Sequence, residues 1–340
     1  MNIMEVQKEI KQGIFYPVYL FYGSEHYLIE DTKQKLIHAA LTDEDIDFNL
    51  SYFDMTEVPV QVALEDAQTL PFMGERRVVI MQTTQFLTAQ KEDSKIDHDL
   101  KRLEQYIDDP SPETILVIIA PYEKLDERKK IVKAIKKRGG YVKVSPLSEQ
   151  EIQVWVRQQL KERHREISDL ALTVLLQTVG VDLTTLASEL EKLSLYAGEE
   201  QVIDEKMVQL LVARSLEQNI FDLTDMVLNR NLQRAFRIFY DMIEQKEEPL
   251  KILALLAGQF RLLYQVKGLM SKGYGQNQIA STLKVHPFRV KLAMQKVATF
   301  DMNELLSLMD DIAEVDYKIK SGQVDKQLAV ELFMMKLHKG

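Results

Sequence analysis

The chain has 340 residues, 46% apolar and 28% charged, enough for about two to three folded domains with real cores. It contains no cysteine, which excludes disulfides, thiolate zinc sites and cysteine nucleophiles and favours a reducing compartment. With 43 basic and 52 acidic residues the net charge is −9, so bulk electrostatics does not draw the chain to nucleic acid; any DNA contact is expected to be local or shared with partners.

Residues 1–13 carry Glu5, Lys8, Glu9 and Lys11 and no apolar h-region, so they do not read as a signal peptide. The longest apolar run, residues 115–120, is far short of the roughly 18 residues a membrane span needs. A cytoplasmic protein with no membrane partner is expected.

After Tyr16-Pro17, Val18-Tyr19-Leu20-Phe21-Tyr22 reads as a buried strand, Gly23 as a turn, and the residues from Tyr27 as a helix. A nucleotide-binding P-loop has the same order. It must run G-x-x-x-x-G-K-[ST], because backbone N–H groups cradle the phosphates and the lysine neutralises them. Counting from Gly23, the second glycine falls at Leu28, the lysine at Ile29 and the hydroxyl at Glu30. Glu25 and Glu30 would repel phosphate. Gly23, Ser24, Glu25, Leu28, Ile29 and Glu30 therefore form a degenerate P-loop, and no cofactor is expected.

Further strands are expected at 48–53, 77–82, 115–120 and 141–144, and helices at 27–41, 60–68, 97–107 and 126–138, the last closed by Gly139-Gly140. Five strands alternating with helices predict a parallel sheet covered on both faces. The strand at 115–119 runs into Ala120-Pro121-Tyr122 with no Asp-Glu pair, so the acids that hold the metal in an ATPase are missing as well.

After Leu147 the pattern changes to a 3.6-residue apolar period. It opens at Ser148, a cap with Glu151 three residues on. Breaks at 180–182, 197–200, 245–249, 273–275 and 321–323 divide about ten helices and no strand, with a further boundary near 216–221. The single tryptophan, Trp155, is expected in a core. His26, His38, His98, His164, His286 and His338 do not pair at metal-ligand spacing, so no metal site is expected. No nucleophile motif is present and no catalytic residues are expected.

Several patterns together resemble one family, the delta subunit of bacterial DNA polymerase III, the clamp-opening subunit of the sliding-clamp loader. They are residues 17–25 followed by Leu28-Ile29-Glu30, residues 180–186 with 189–196, Gln259-Phe260-Arg261-Leu262-Leu263 with Lys267, Val285-His286-Pro287-Phe288 with Lys291, and residues 316–322 with Asp325. The resemblance spans nearly the whole chain. It implies an AAA+-like α/β domain at 1–147, a small helical lid at 148–215 and a helical collar at 216–340. It also implies no ATPase activity in this subunit. The partners it implies are the beta sliding clamp, the ATP-binding loader subunits, the delta-prime subunit, and primer–template DNA within the complex.

The same resemblance points to the connection at 67–77. Leu70, Phe72 and Met73 are apolar where a connection is normally polar, Pro71 limits backbone freedom and Gly74 lets the chain turn back. On residue type alone these side chains would cover the edge of the sheet as core. The resemblance instead makes Leu70, Pro71, Phe72 and Met73 an exposed tip that enters a pocket of the clamp.

Two basic clusters are candidates for DNA. Lys129, Lys133, Lys136 and Lys137 flank apolar Ile131, Val132 and Ile135 on a helix, a pattern that a solvated face explains first and a phosphate contact explains more sharply. Lys284, His286, Phe288 and Arg289 form a basic-aromatic cluster that could stack on a base, or simply open a helix. Two other readings stand beside the resemblance: a divergent P-loop NTPase holding nucleotide at 23–25, and a helical assembly factor with a vestigial ATPase module.

Overall fold

The computed structural model describes residues 1–89, 96–138, 140–198, 202–297 and 300–336; Gly139, Glu200 and His338, named above, lie outside them. The chain divides into two compact units, Met1–Pro146 and Leu147–Gly340.

The first unit runs α1 (Ile3–Lys11), β1 (Val18–Gly23), α2 (His26–Ala40), α3 (Asp43–Asn49), β2 (Leu50–Asp54), α4 (Val60–Ala67), β3 (Arg77–Gln82), a 3-10 turn (Gln85–Leu87), α5 (Leu100–Asp108), β4 (Thr114–Ala120), α6 (Lys130–Arg138) and β5 (Tyr141–Val144). All pairings are parallel and the strand order is β2-β3-β4-β1-β5. Every residue of β1 and β4 is buried, as expected of central strands covered on both sides. Alternation along β1 sends Val18, Leu20 and Tyr22 into a core shared with α4, α5 and α6. Tyr19 and Phe21 point to the opposite face, where they stack 5.6 Å apart. Helices α1 and α2 pack on each other and reach β1 and β5.

The expected α/β domain is present, with helices α1 and α3 added and three starts corrected; the helix expected from 97 begins at Leu100, where the Asp99 carboxylate accepts the Lys101 and Arg102 N–H groups. Residues 3–11, given no element above, form α1 because the Asn2 side chain caps it and Glu5 returns to the Asn2 backbone. The strand expected at 48–53 begins only at Leu50. Thr42 and Asp45 make a reciprocal cap that starts α3 and carries Phe48 and Asn49 into its last turn. The helix expected from 126 begins at Lys130, because the Asp126 carboxylate accepts from the Arg128 N–H and guanidinium and holds a turn instead.

The second unit contains eleven helices among the described residues: α7 (Glu149–Glu162), α8 (Asp169–Val179), α9 (Leu183–Ala197), α10 (Glu205–Leu211), α11 (Leu216–Leu228), α12 (Leu232–Glu244), α13 (Pro249–Met270), α14 (Gln276–Leu283), α15 (Pro287–Val297), α16 (Met302–Lys320) and α17 (Lys326–Lys336). Ser148 caps α7 with Glu151, as its spacing predicts. Trp155 is fully buried. The only strand-like pairing described here is an isolated bridge between Ile167 and Ile203. One continuous core joins α11 through α17, with Leu256, Phe260 and Val266 of the long helix α13 at its centre.

Candidate functional site

Strand order reverses at β1, which lies between β4 and β5, and in open parallel sheets ligands bind beyond the carboxyl ends of strands at such a point. Here that space is closed by the chain itself. Gly23 has φ +142, and a Cβ placed on it would stand 1.9 Å from the Val144 carbonyl oxygen. The Glu25 N–H, which a phosphate cradle would use, donates to that same carbonyl at 3.4 Å. Leu28 and Ile29, at the positions of the second glycine and the lysine, are buried. Glu30 pairs with Lys33 at 2.7 Å; burial raises its carboxyl, but hydrogen bonds from Lys33 and Gln34 outweigh this and hold it below the usual range.

The neighbouring strand ends lack the acids as well. β4 ends in Ala120 and runs into Pro121 and Tyr122, and β3 ends in Gln82 followed by Thr83 and Thr84, where the Thr84 hydroxyl donates to the Ile119 carbonyl at 3.0 Å. The acid at this edge is Asp54, which ends β2, three strands away from β1. It accepts from the Thr56 N–H and hydroxyl and from the Thr83 hydroxyl at 3.2 Å. Burial raises its carboxyl, but these bonds outweigh that and hold it below the usual range.

The connection between α4 and β3 is the opposite case, an apolar surface left open. Leu70 is 73% exposed, Phe72 54% and Met73 92%, with Pro71 half-buried beside them. These values do not fit side chains that cover a sheet edge as core. The base of the loop is tied down. Arg77, buried at the start of β3, donates to the Asp66 carbonyl at 3.2 Å, the Asp66 carboxylate at 2.7 Å and the Phe48 carbonyl at 3.1 Å, joining the ends of α3 and α4. The Asn49 side chain holds the backbone of Phe72, and the rings of Phe48 and Phe72 lie 5.3 Å apart. Phe48, Asn49 and Arg77 were missed by sequence reasoning. The Thr42-x-x-Asp45 cap is the signal that could have placed the first two on a helix rather than in a strand.

The two basic clusters are placed differently from each other. On α6, Lys133 and Lys137 are exposed and make no ion pair among the described residues. Lys136 pairs with Glu127 at 3.5 Å and lies over the Tyr141 ring, while Lys129 is half-buried and donates to the Phe86 carbonyl. In the second unit, Lys284 is exposed, but the other three are used internally. His286 Nε2 donates to the Leu147 carbonyl at 2.8 Å while its Nδ1 accepts the Phe288 N–H at 3.2 Å, which fixes the neutral tautomer. Burial, and secondarily Arg289, lower its pKa. Arg289 faces Glu217 at 3.7 Å, and Phe288 lines a cleft of about 790 Å³ with Phe221, Arg214 and Leu292. A ring with both nitrogens engaged and a half-buried phenyl present little free surface for stacking.

Family models match most of the chain. The model of the DNA polymerase III delta subunit matches residues 19–145, and that of the C-terminal domain of the same subunit matches 217–337. A model described as a middle domain matches 148–210. The DNA polymerase III subunit delta of Bacillus subtilis (strain 168) is 44% identical over 337 residues, covering 99% of this chain and 97% of its own. The chain belongs to the DNA polymerase III delta subunit family. A probable member from Aquifex aeolicus (strain VF5) is 24% identical over 302 residues, covering 88% of this chain and 85% of its own. The solved Bacillus subtilis DNA clamp loader delta protein superposes with a TM-score of 0.82, covering 99% of this chain and all of that one. That protein therefore shares both units of the fold. No described helix is long and apolar enough to cross a membrane, and no group of three or more metal-ligating side chains occurs among the described residues.

Proposed function

We propose that this chain is the clamp-opening subunit of a DNA polymerase III clamp loader and has no ATPase activity of its own. Leu70, Pro71, Phe72 and Met73 form the tip that enters an apolar pocket of the sliding clamp. The exposure of three large apolar side chains on a loop anchored at both ends carries this reading, since clustered Leu, Phe and Met on a fixed frame suit an irregular pocket. The buried residues at the lysine and glycine positions of the degenerate P-loop support a subunit driven by nucleotide in its neighbours. While the tip occupies its pocket, the clamp's closed interface is weakened relative to its open state, a shift of populations.

Residues 148–215 and 216–340 act as lid and collar, and the collar assembles with the ATP-binding and delta-prime subunits. Lys133 and Lys137 are the lysines placed to meet phosphates of primer–template DNA, with Lys284 a further exposed cation. Surface plasmon resonance on immobilised sliding clamp tests the central claim. The wild type binds without nucleotide, and the Leu70→Ser/Phe72→Ser/Met73→Ser variant does not, with its melting temperature retained. Wild-type affinity in that variant, or loss of its fold, would overturn the assignment of the tip.

A further inference from the structure

The loop that presents Leu70, Phe72 and Met73 has almost no hydrogen bonding of its own. Between Thr69 and Arg77, the Asn49 carboxamide makes the only hydrogen bonds to the loop among the described residues. Its Oδ1 accepts the Phe72 N–H at 2.7 Å and its Nδ2 donates to the Phe72 carbonyl at 2.9 Å. Asn49 is the last residue of α3 and is itself fully buried, while the two bonds it makes to the exposed loop are partly buried. It grips Phe72 as a neighbouring strand would, through donor and acceptor at once, without touching the phenyl ring's exposed face.

Two further observations place the loop hard against this grip. Gly74 closes on α3 so tightly that a Cβ there would lie 2.8 Å from Asp45 Oδ1 and 3.0 Å from Asn49 Nδ2. Met73, between the two, takes φ +56, a conformation a non-glycine residue keeps only where its surroundings over-determine it. The loop is thus set by α3, an element with no place in the degenerate nucleotide site.

We propose that Asn49 is a positioning residue for clamp binding: it orders the 70–76 loop on folding, so that this ordering is not demanded when the tip docks. The inference rests on the reading of Leu70, Phe72 and Met73 as that tip. Its signature is a change in clamp affinity from a residue with no surface to offer the clamp, transmitted through Phe72.

The test is surface plasmon resonance of the full chain on immobilised sliding clamp. The proteins are wild type, Asn49→Ala, Gly74→Ala, Phe72→Ala and the Asn49→Ala/Phe72→Ala double variant. Melting temperature and assembly with the ATP-binding loader subunits serve as measures of the fold. Asn49→Ala and Gly74→Ala are each expected to weaken clamp binding by about tenfold, equivalent to about 1.4 kcal/mol, while assembly is retained. In the Phe72→Ala background, Asn49→Ala is expected to weaken binding again, because its bonds are to the backbone of residue 72, which alanine retains, and Leu70 and Met73 still depend on the ordered loop. Wild-type clamp affinity in Asn49→Ala, or no further loss from Asn49→Ala in the Phe72→Ala background, would overturn the positioning role. If Asn49→Ala does not fold, Gly74→Ala decides alone, and unchanged affinity there overturns it equally. Clamp binding that survives loss of Leu70, Phe72 and Met73 together removes the tip and the positioning role with it. Binding lost in that triple variant but kept in Asn49→Ala removes only the positioning role.

Discussion

Gly23 and Val144 meet backbone to backbone, with the Val144 carbonyl oxygen 1.9 Å from where a Cβ of residue 23 would stand. A P-loop glycine makes room for a phosphate. This one makes room for the end of β5, which pairs beside it in register. Gly23→Ala is expected to lower the stability of the domain by about 3 kcal/mol or more, since both the clash and the φ of +142 oppose it. Urea denaturation followed by circular dichroism measures this, and a change below about 0.5 kcal/mol, typical of an unconstrained surface site, would contradict it.

Restoring the missing lysine should not restore the nucleotide. Ile29→Lys places an ammonium in a buried position, and a loss of about 3 kcal/mol is expected. Titration with a fluorescent ATP analogue should show no micromolar binding by the wild type or by this variant. Saturable binding by the wild type would favour the NTPase reading instead.

Phe48 supports the proposed tip from the side. Its ring is exposed and packs on Phe72 at an interplanar angle of 45°. Aromatic pairs of this kind contribute about 0.5–1.5 kcal/mol. Phe48→Ala is therefore expected to weaken clamp binding by about three- to tenfold while shifting the unfolding midpoint little. Unchanged dissociation kinetics in surface plasmon resonance would show that the pair plays no part.

His286 ties Leu147 to the start of α15 only while its Nδ1 is unprotonated. Its folded-state pKa is lowered from 6.5, so the unfolded chain binds the proton more readily than the folded one. The stability it contributes is complete above about 6.5, the unfolded value, and is lost as pH falls from there toward the lowered folded value. The wild type should lose melting temperature across that window, and His286→Gln should flatten this part of the profile. Parallel profiles for the two proteins would refute the linkage.

Lys133 and Lys137 are exposed lysines of α6 that make no ion pair among the described residues. Lys133→Glu/Lys137→Glu should weaken binding of the assembled loader to primer–template DNA. It should also reduce the slope of log affinity against log salt, without altering clamp binding. An unchanged salt slope would leave these lysines as a solvated face.

The sheet was the most legible part of the chain because its strands are covered on both sides. Residues 77–82 and 141–144 are strands at the expected limits, and β1 and β4 differ from expectation by one residue each. Legibility failed where a local cap competed with an apolar run: Phe48 looks like a strand residue, and the Thr42–Asp45 cap makes it helical. Of the candidate tip, the residue types were visible but their exposure was not, because Leu, Phe and Met are the residues a core would also choose. Asn49 was invisible for a different reason. Its two bonds span 23 positions in the chain, and no local pattern encodes them. His286 was read as a possible stacking surface because its partner, the Leu147 carbonyl, lies 139 positions away.

The Asn49 grip engages the backbone of Phe72 and leaves its side chain, like those of Leu70 and Met73, out of the loop's internal hydrogen bonding. Frame and proposed recognition surface are thus chemically separate. Substitutions at 70, 72 and 73 can retune the fit to a differently shaped pocket without refolding the loop, whereas a change at 49 or 74 alters every fit at once. Partner preference can therefore drift one side chain at a time on a support that does not change.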